Sequence, residues 1–142
     1  MRRILGLDYG TKTVGVALSD ELRITAQPLE TITRKDANKL RKTYARIEEL
    51  VKEYDVEKIV LGLPKNMNNS LGFASERSMN FKKMIEEKYN IEVILQDERL
   101  SSVEANNIMI KNDTSRKKRK KSVDSLAANI ILQSYLDKIK KE

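Results

Sequence analysis

Apolar positions along the chain change period twice. Arg3 to Asp8 and Val14 to Leu18 are short apolar runs. Tyr9-Gly10-Thr11-Lys12-Thr13 joins them, and its early Gly predicts a hairpin connection. A third extended segment is predicted near Ile24 to Ile32, where Pro28 fits an edge or a strand start better than a central strand. From Leu40 the period becomes helical. Leu40, Tyr44, Ile47, Leu50, Val51 and Tyr54 fall on one face, with Lys39, Arg41, Lys42 and Arg46 largely on the other. Lys58 to Leu63 returns to a buried-strand pattern and stops at Pro64. Ala74 to Tyr89 is helical through Phe81, Met84, Ile85 and Tyr89, and Ile91 to Leu95 is a further apolar run leading into Asp97-Glu98-Arg99. Ser101-x-x-Glu104 has the spacing of a capping box for a short helix through Ile108, and a last helix is predicted from Ser122 to Ile139.

The predicted order is therefore β-β-β-α-β-α-β-α-α. Three strands can pair antiparallel, and two more are added through helical crossovers, which generate parallel strands. The expected fold class is α/β: a five-stranded mixed sheet, three strands antiparallel plus two parallel, with helices on both faces. No linker, repeat or change of composition divides the chain, so residues 1–142 are read as one domain.

Charge and composition narrow the chemistry. Among 142 residues, 28 Lys plus Arg oppose 21 Asp plus Glu, a formal charge of +7 that points to a polyanionic partner. The absence of Cys and His excludes disulfides, thiolate nucleophiles, Cys/His zinc sites and imidazole bases. Catalysis would have to rest on carboxylates, Lys, hydroxyls or a metal held by oxygen. No apolar stretch is long enough to span a bilayer and no signal-peptide core opens the chain, so a soluble, cytoplasmic protein with no membrane partner is expected.

Three acids stand where acids are unfavourable. Asp8 ends the first apolar run, and Asp97-Glu98 follow the last. A carboxylate at the end of a core strand is partly desolvated and needs compensation. Each could cap a turn or pair with a base, Asp8 with Lys12 and Glu98 with Arg99. Asp124 shares a helical face with Ala127, Ala128, Ile131 and Tyr135, the side built for close packing, although a first-turn acid stabilised by the helix dipole is the plainer account. If Asp8 and Glu98 come from neighbouring strand ends, Asp124 can approach from a helix packed across them. Three carboxylates in one pocket repel unless cations intervene. Mg²⁺ or Mn²⁺ needs only oxygen ligands, and two such ions can hold both the attacking and the leaving oxygen of a phosphodiester.

The remaining features fit a phosphate ligand. Arg116, Lys117, Lys118, Arg119, Lys120 and Lys121 are six consecutive cations just before Asp124; they are expected in a flexible loop, either merely solvated or attracting phosphate. Thr11 and Lys12 could contact a phosphate beside Asp8. The polar loop Gly62 to Ser70, which carries Asn66, lies at a strand's carboxyl end, where α/β sheets place their ligands. With 5% aromatic residues, a base-stacking platform is not expected.

Four stretches together resemble the YqgF family, also called RuvX-like or Holliday-junction-resolvase-like. They are Leu5-Gly6-Leu7-Asp8-Tyr9-Gly10-Thr11-Lys12, Ile59-Val60-Leu61-Gly62-Leu63-Pro64-Lys65-Asn66-Met67, Asp97-Glu98-Arg99-Leu100-Ser101 and Asp124-Ser125-Leu126-Ala127-Ala128. The resemblance implies a ribonuclease H-like fold and a metal-dependent nuclease whose acids are Asp8, Glu98 and Asp124. Adjacent strand residues face opposite ways, so sequence alone leaves Asp97 and Glu98 open; the family pattern favours Glu98. It also implies processing of the 5′ end of precursor 16S ribosomal RNA in ribosome biogenesis, with Arg99 among the residues meeting nucleic acid. One departure is local: the family loop usually carries Asp-Gly where this chain has Asn68-Asn69.

The alternatives are resolution of branched DNA, which calls for a symmetric dimer, and a non-catalytic nucleic-acid-binding accessory factor. A monomer or weak homodimer is expected. Asp8-Tyr9-Gly10-Thr11 also resembles the phosphate loop of sugar-kinase and actin-like ATPases, but those close a cleft between two such domains.

Overall fold

Five strands form one sheet in the order β3-β2-β1-β4-β5. The structure is a computed structural model that describes residues 2–10, 12–36, 39–63, 73–97 and 116–140, and at positions 63, 73–75, 97 and 116–124 it describes the backbone. The elements are β1 (Arg3–Tyr9), β2 (Thr13–Ser19), β3 (Ala26–Thr33), α1 (Arg41–Glu53), β4 (Val56–Leu63), α2 (Phe73–Tyr89), β5 (Glu92–Asp97) and α3 (Arg116–Lys140). β1, β2 and β3 pair antiparallel, as short hairpin links require, whereas β4 lies parallel to β1 and β5 parallel to β4. The expected mixed sheet is thus found. The short helix expected from Ser101 to Ile108 lies outside the described residues.

Two element boundaries differ from the sequence reading, each for a local reason. β3 begins at Ala26, not Ile24, because the Asp20 carboxylate accepts the amides of Ile24 at 2.8 Å and Thr25 at 3.2 Å and holds both in a turn. Those bonds, Ile24's first, keep the Asp20 carboxyl below its ordinary value. Pro28 does sit on the edge strand, beside a bulge: Val16 pairs with Glu30 and Ala17 with Pro28, leaving Leu29 between. The second difference is in α3, which starts at Arg116 rather than Ser122. Lys and Arg are good helix formers, and extending a docked helix is far easier than nucleating one. The run of cations expected in a loop is therefore helical.

Alternation along β1 divides the core into two layers. Leu5 and Leu7 pack with Val14, Val16, Ile59, Leu61 and Val93 against Ile47 and Leu50 of α1 and Phe81 and Ile85 of α2. Ile4 packs with Ala17 and Val60 against Ala128, Ile131, Leu132 and Leu136 of α3. In the first layer Tyr9, Phe81 and Tyr44 form a stack, with centroids 4.1 Å and 5.4 Å apart. Arg34 caps it at 5.1 Å over the Tyr9 ring, and Lys88 stands 5.5 Å from the Tyr44 ring. These aromatics build the core. Burial, with a smaller contribution from Tyr9, pushes the Tyr44 phenol above its ordinary value.

The second layer is thinner because α3 lies almost on the backbone of β1. A Cβ placed on Gly6 would stand 2.7 Å from Cβ of Leu132 and 3.1 Å from the carbonyl oxygen of Ala128. Neither atom is the end of a flexible side chain, so only a residue without Cβ permits this approach.

Two expectations follow. Gly6→Ala must push α3 off the sheet and should lower unfolding free energy by about 1–3 kcal/mol, read as a lower urea midpoint at unchanged slope. The raised Tyr44 phenol means that the unfolded chain releases its proton first. Stability from this group is complete below pH 10 and is lost as pH rises through the folded value. The urea midpoint should therefore fall more steeply from pH 9 to 11 in the native sequence than in Tyr44→Phe; equal slopes would remove Tyr44 as the cause.

Candidate active site

Asp8 occupies the last turn of alternation before β1 ends. Ile4 and Gly6 face α3, Leu5 and Leu7 face α1 and α2, and Tyr9 packs on the latter side. Asp8 therefore belongs to the α3 face, where it is half-buried. Its neighbours on that face carry almost nothing. Asp8 pairs with Gly15 of β2, and because Leu7 pairs with Leu61, the next position across on β4 is Gly62, which itself pairs with Gln96. The row Gly15, Asp8, Gly62, Gln96 is a floor from which only an acid and an amide rise. Of the four, Asp8 alone stands out in the sequence; two glycines on separate strands reveal their common row only once register is known.

The direction of α3 places its acid at the same end. Leu132 and Ala128 lie over Gly6. Further along the helix, the Gln133 amide accepts from Ala26 N at 2.9 Å and donates to Ile24 O at 3.1 Å. Ala26 pairs with Ser19, whose hydroxyl accepts Ile4 N at 2.8 Å. The carboxyl half of α3 thus lies at the start of β1, and the helix runs antiparallel to that strand. Asp124 is one turn before Ala128, about 6 Å back along the axis. Asp8 is two residues beyond Gly6, about 6.6 Å along the strand in the same direction. Ala127, Ala128, Ile131 and Tyr135, which share the helical face of position 124, are buried.

One expectation is corrected. β1 and β5 are not neighbours, because β4 lies between them. The ends carrying Asp8 and Asp97 are two strand spacings apart, about 10 Å, bridged by Gly62. Crossing through α1 and then α2 puts the later strand farther out. Lys12 is exposed in the hairpin beside Gly10, whose amide donates to Thr13 O at 2.7 Å. Arg116, Lys117, Lys118, Arg119, Lys120 and Lys121 lie along the first turns of α3, on the Asp8 side of Asp124. Thr11, Asn66, Glu98 and Arg99 lie outside the described residues.

The donor set suits a hard cation. Asp8 and Asp124 offer carboxylate oxygen, Gln96 a carbonyl oxygen, and the chain has no His or Cys to favour a softer metal. Among the described side chains no three acids meet in one group. A third ligand would have to come from Glu98 or a neighbour.

Comparison with known proteins bears on the family and the fold. The model of the RuvX family, described as "Holliday junction resolvase", matches residues 2–138. Relatives named "Putative pre-16S rRNA nuclease" include one from Lachnospira eligens, 53% identical over 135 residues and covering 95% of this chain and 96% of that one. One from Bacillus subtilis is 52% identical over 139 residues, covering 96% and 99%. Among solved structures, Thermus thermophilus RuvC in complex with a Holliday junction superposes with a TM-score of 0.62 at 14% identity, covering 99% of this chain and 96% of that chain. The fowlpox virus Holliday junction resolvase does so at 0.55 and 16%, covering 96% and 99%. At such identities these structures speak for the ribonuclease H-like fold.

Proposed function

The chain belongs to the RuvX family, and from that membership we propose that it is a metal-dependent nuclease acting on precursor 16S ribosomal RNA. The observation that supports this reading is the antiparallel seat of α3 on β1, by which the backbone at position 124 lies toward the same end of the sheet as Asp8. Parity supports Glu98 over Asp97 as the third acid. Val93 and Leu95 pack in the α1/α2 layer and Ile94 in the α3 layer, so even-numbered positions of β5 share the face of Asp8.

Asp8, Glu98 and Asp124 would hold Mg²⁺ or Mn²⁺, as a pair of ions. Such ions, when bound, would neutralise phosphate charge and act as Lewis acids on phosphoryl oxygen, making phosphorus more electrophilic. Asp8 orients the attacking water, the bond from phosphorus to the leaving oxygen breaks, and that oxygen departs with a proton. Gly15 and Gly62, both buried, put no side chain beside Asp8 on this face. Lys12 on the hairpin and the cations of α3 draw in the sugar–phosphate backbone. Six cations beside a helix N-terminus repel one another and oppose the helix dipole, an arrangement that a bound polyanion relieves. Thr11, Asn66 and Arg99 are assigned to the same nucleic acid. The family description supports a second substrate, branched DNA, for the same acids.

Purified protein incubated with a precursor 16S fragment and with a four-way DNA junction, each under Mn²⁺, Mg²⁺ or EDTA, separates these. RNA cleavage that needs metal and falls about 10²–10⁴-fold in Asp8→Asn, with the junction intact, is the expected result. Paired symmetric nicks in the junction would transfer the assignment to a resolvase. Binding of both substrates with cleavage of neither would leave an accessory binding factor.

A further inference from the structure

A second basic feature lies at the same end of the sheet, on the opposite face from α3. β3 runs parallel to β1, so the link from β3 into α1 emerges beside the hairpin that follows Asp8. That link lines an open cavity of about 940 Å³ whose charged lining, among the described residues, is Arg34, Lys35, Lys39, Arg41, Lys42 and one acid, Asp36. None of the five cations takes part in an ion pair among the described residues. Elsewhere Arg2, Arg3, Arg23, Arg46, Lys52, Lys58 and Lys82 pair with acids, and the other unpaired cations among the described residues, such as Arg77, Lys83 and Lys138, do not line this cavity.

Arg34 is fixed in this cavity wall. Its Nη2 donates to Gly10 O at 2.7 Å, its main-chain amide donates to Lys12 O at 2.8 Å, and its guanidinium lies over Tyr9. Its Nε and Nη1 are buried with no acceptor among the described residues, so the fixed cation keeps donors to spare. The positive charge is thus tied to the hairpin next to Asp8. The amino terminus of the 13-residue α1 adds to it: Leu40 provides no side-chain cap, and no acid stands in the first turn to oppose the helix dipole. A cavity lined by unpaired cations and an uncapped helix end calls for an anion.

We propose that the β3–α1 cavity binds backbone phosphate of the nucleic-acid strand that continues beyond the Asp8 end of the sheet. The inference rests on the nucleic-acid reading above and extends it. With the cations of α3 on one face and this cavity on the other, the strand crosses the end of the sheet over Asp8 and is held on both sides. Contacts of this kind fix register and are sensitive to salt, and they read no sequence.

Binding without cleavage tests it. Lys39 and Lys42 are exposed, so Lys39→Glu/Lys42→Glu leaves the core alone; Lys83→Glu/Lys138→Glu makes the same charge change at exposed positions away from the cavity. Affinity of the full chain for a single-stranded precursor 16S fragment is measured in EDTA across a salt series, with circular dichroism to verify folding. The cavity variant should bind at least about 10-fold more weakly than the control variant. Its log–log salt slope should flatten by about 0.7 for each phosphate that the variant ceases to neutralise. Equal weakening in both variants would reduce the effect to net charge and overturn the site, as would unchanged affinity in the cavity variant. A selective loss in the cavity variant, even if no RNA is cleaved under any metal, would uphold the cavity while removing the catalytic reading. Failure of the native chain to bind at any salt would remove both.

Discussion

The contact that everything else depends on is the seat of α3 on Gly6. The backbone of β1 and Leu132 approach so closely that no Cβ fits between them. This one contact sets the height of α3 above the sheet and its slide along β1. Asp8 and Asp124 each lie about 6–7 Å from it, in the same direction, along two rigid elements. The two carboxylates proposed to share a metal would need positions held to a fraction of an ångström, which regular elements provide and loops do not. The small residues Ala127 and Ala128 continue the close approach toward the acid. A bulkier helix face would lift Asp124 away from the floor.

β1 serves two purposes through the simplest property of a strand, its alternation. Leu5, Leu7 and Tyr9 secure the α1/α2 layer, while Ile4, Gly6 and Asp8 present successively a core residue, a packing notch and an acid to α3. Stability and chemistry are thus separated by parity within seven residues. The stack of Tyr9, Phe81 and Tyr44 lies directly behind Asp8 and stiffens the strand end from the far side.

Much of this is legible in the sequence, because periodicity reports which side of an element is buried. The three antiparallel strands, the two crossovers and the buried face of α3 all follow from spacings of two and of three or four residues. The differences arise where spacing lacks the information. Strand order places β4 between β1 and β5, and no local pattern encodes which neighbour a crossover reaches. Repulsion among like charges argues for a loop from Arg116 to Lys121, yet helix propensity and the docked remainder of α3 prevail. Gly15 and Gly62 are ordinary glycines until pairing sets them on either side of Asp8. Lys39, Arg41 and Lys42 have the spacing of a solvated helix face, and only the turn of the chain after Arg34 makes them one wall.

The end of the sheet faces opposed electrostatic demands: it carries the Asp8 carboxylate, and the ligand proposed for it is a polyanion that carboxylates repel. The topology answers part of this before any ion binds. α1 follows the end of β3, α2 follows the end of β4, and α3 runs antiparallel to β1, so all three helices direct their amino termini to the same end. Their dipoles favour negative charge there, whether on the protein or on a ligand. In the proposed complex, long-range attraction comes from the cations at the starts of α1 and α3, on either face, while Asp8 stays on the narrow floor between them. The divalent cation proposed for this end would act at that floor, where phosphate and carboxylate would come within contact distance and dipoles alone could not offset their repulsion. Attraction of the strand and activation of its phosphorus are thereby assigned to different parts of one surface.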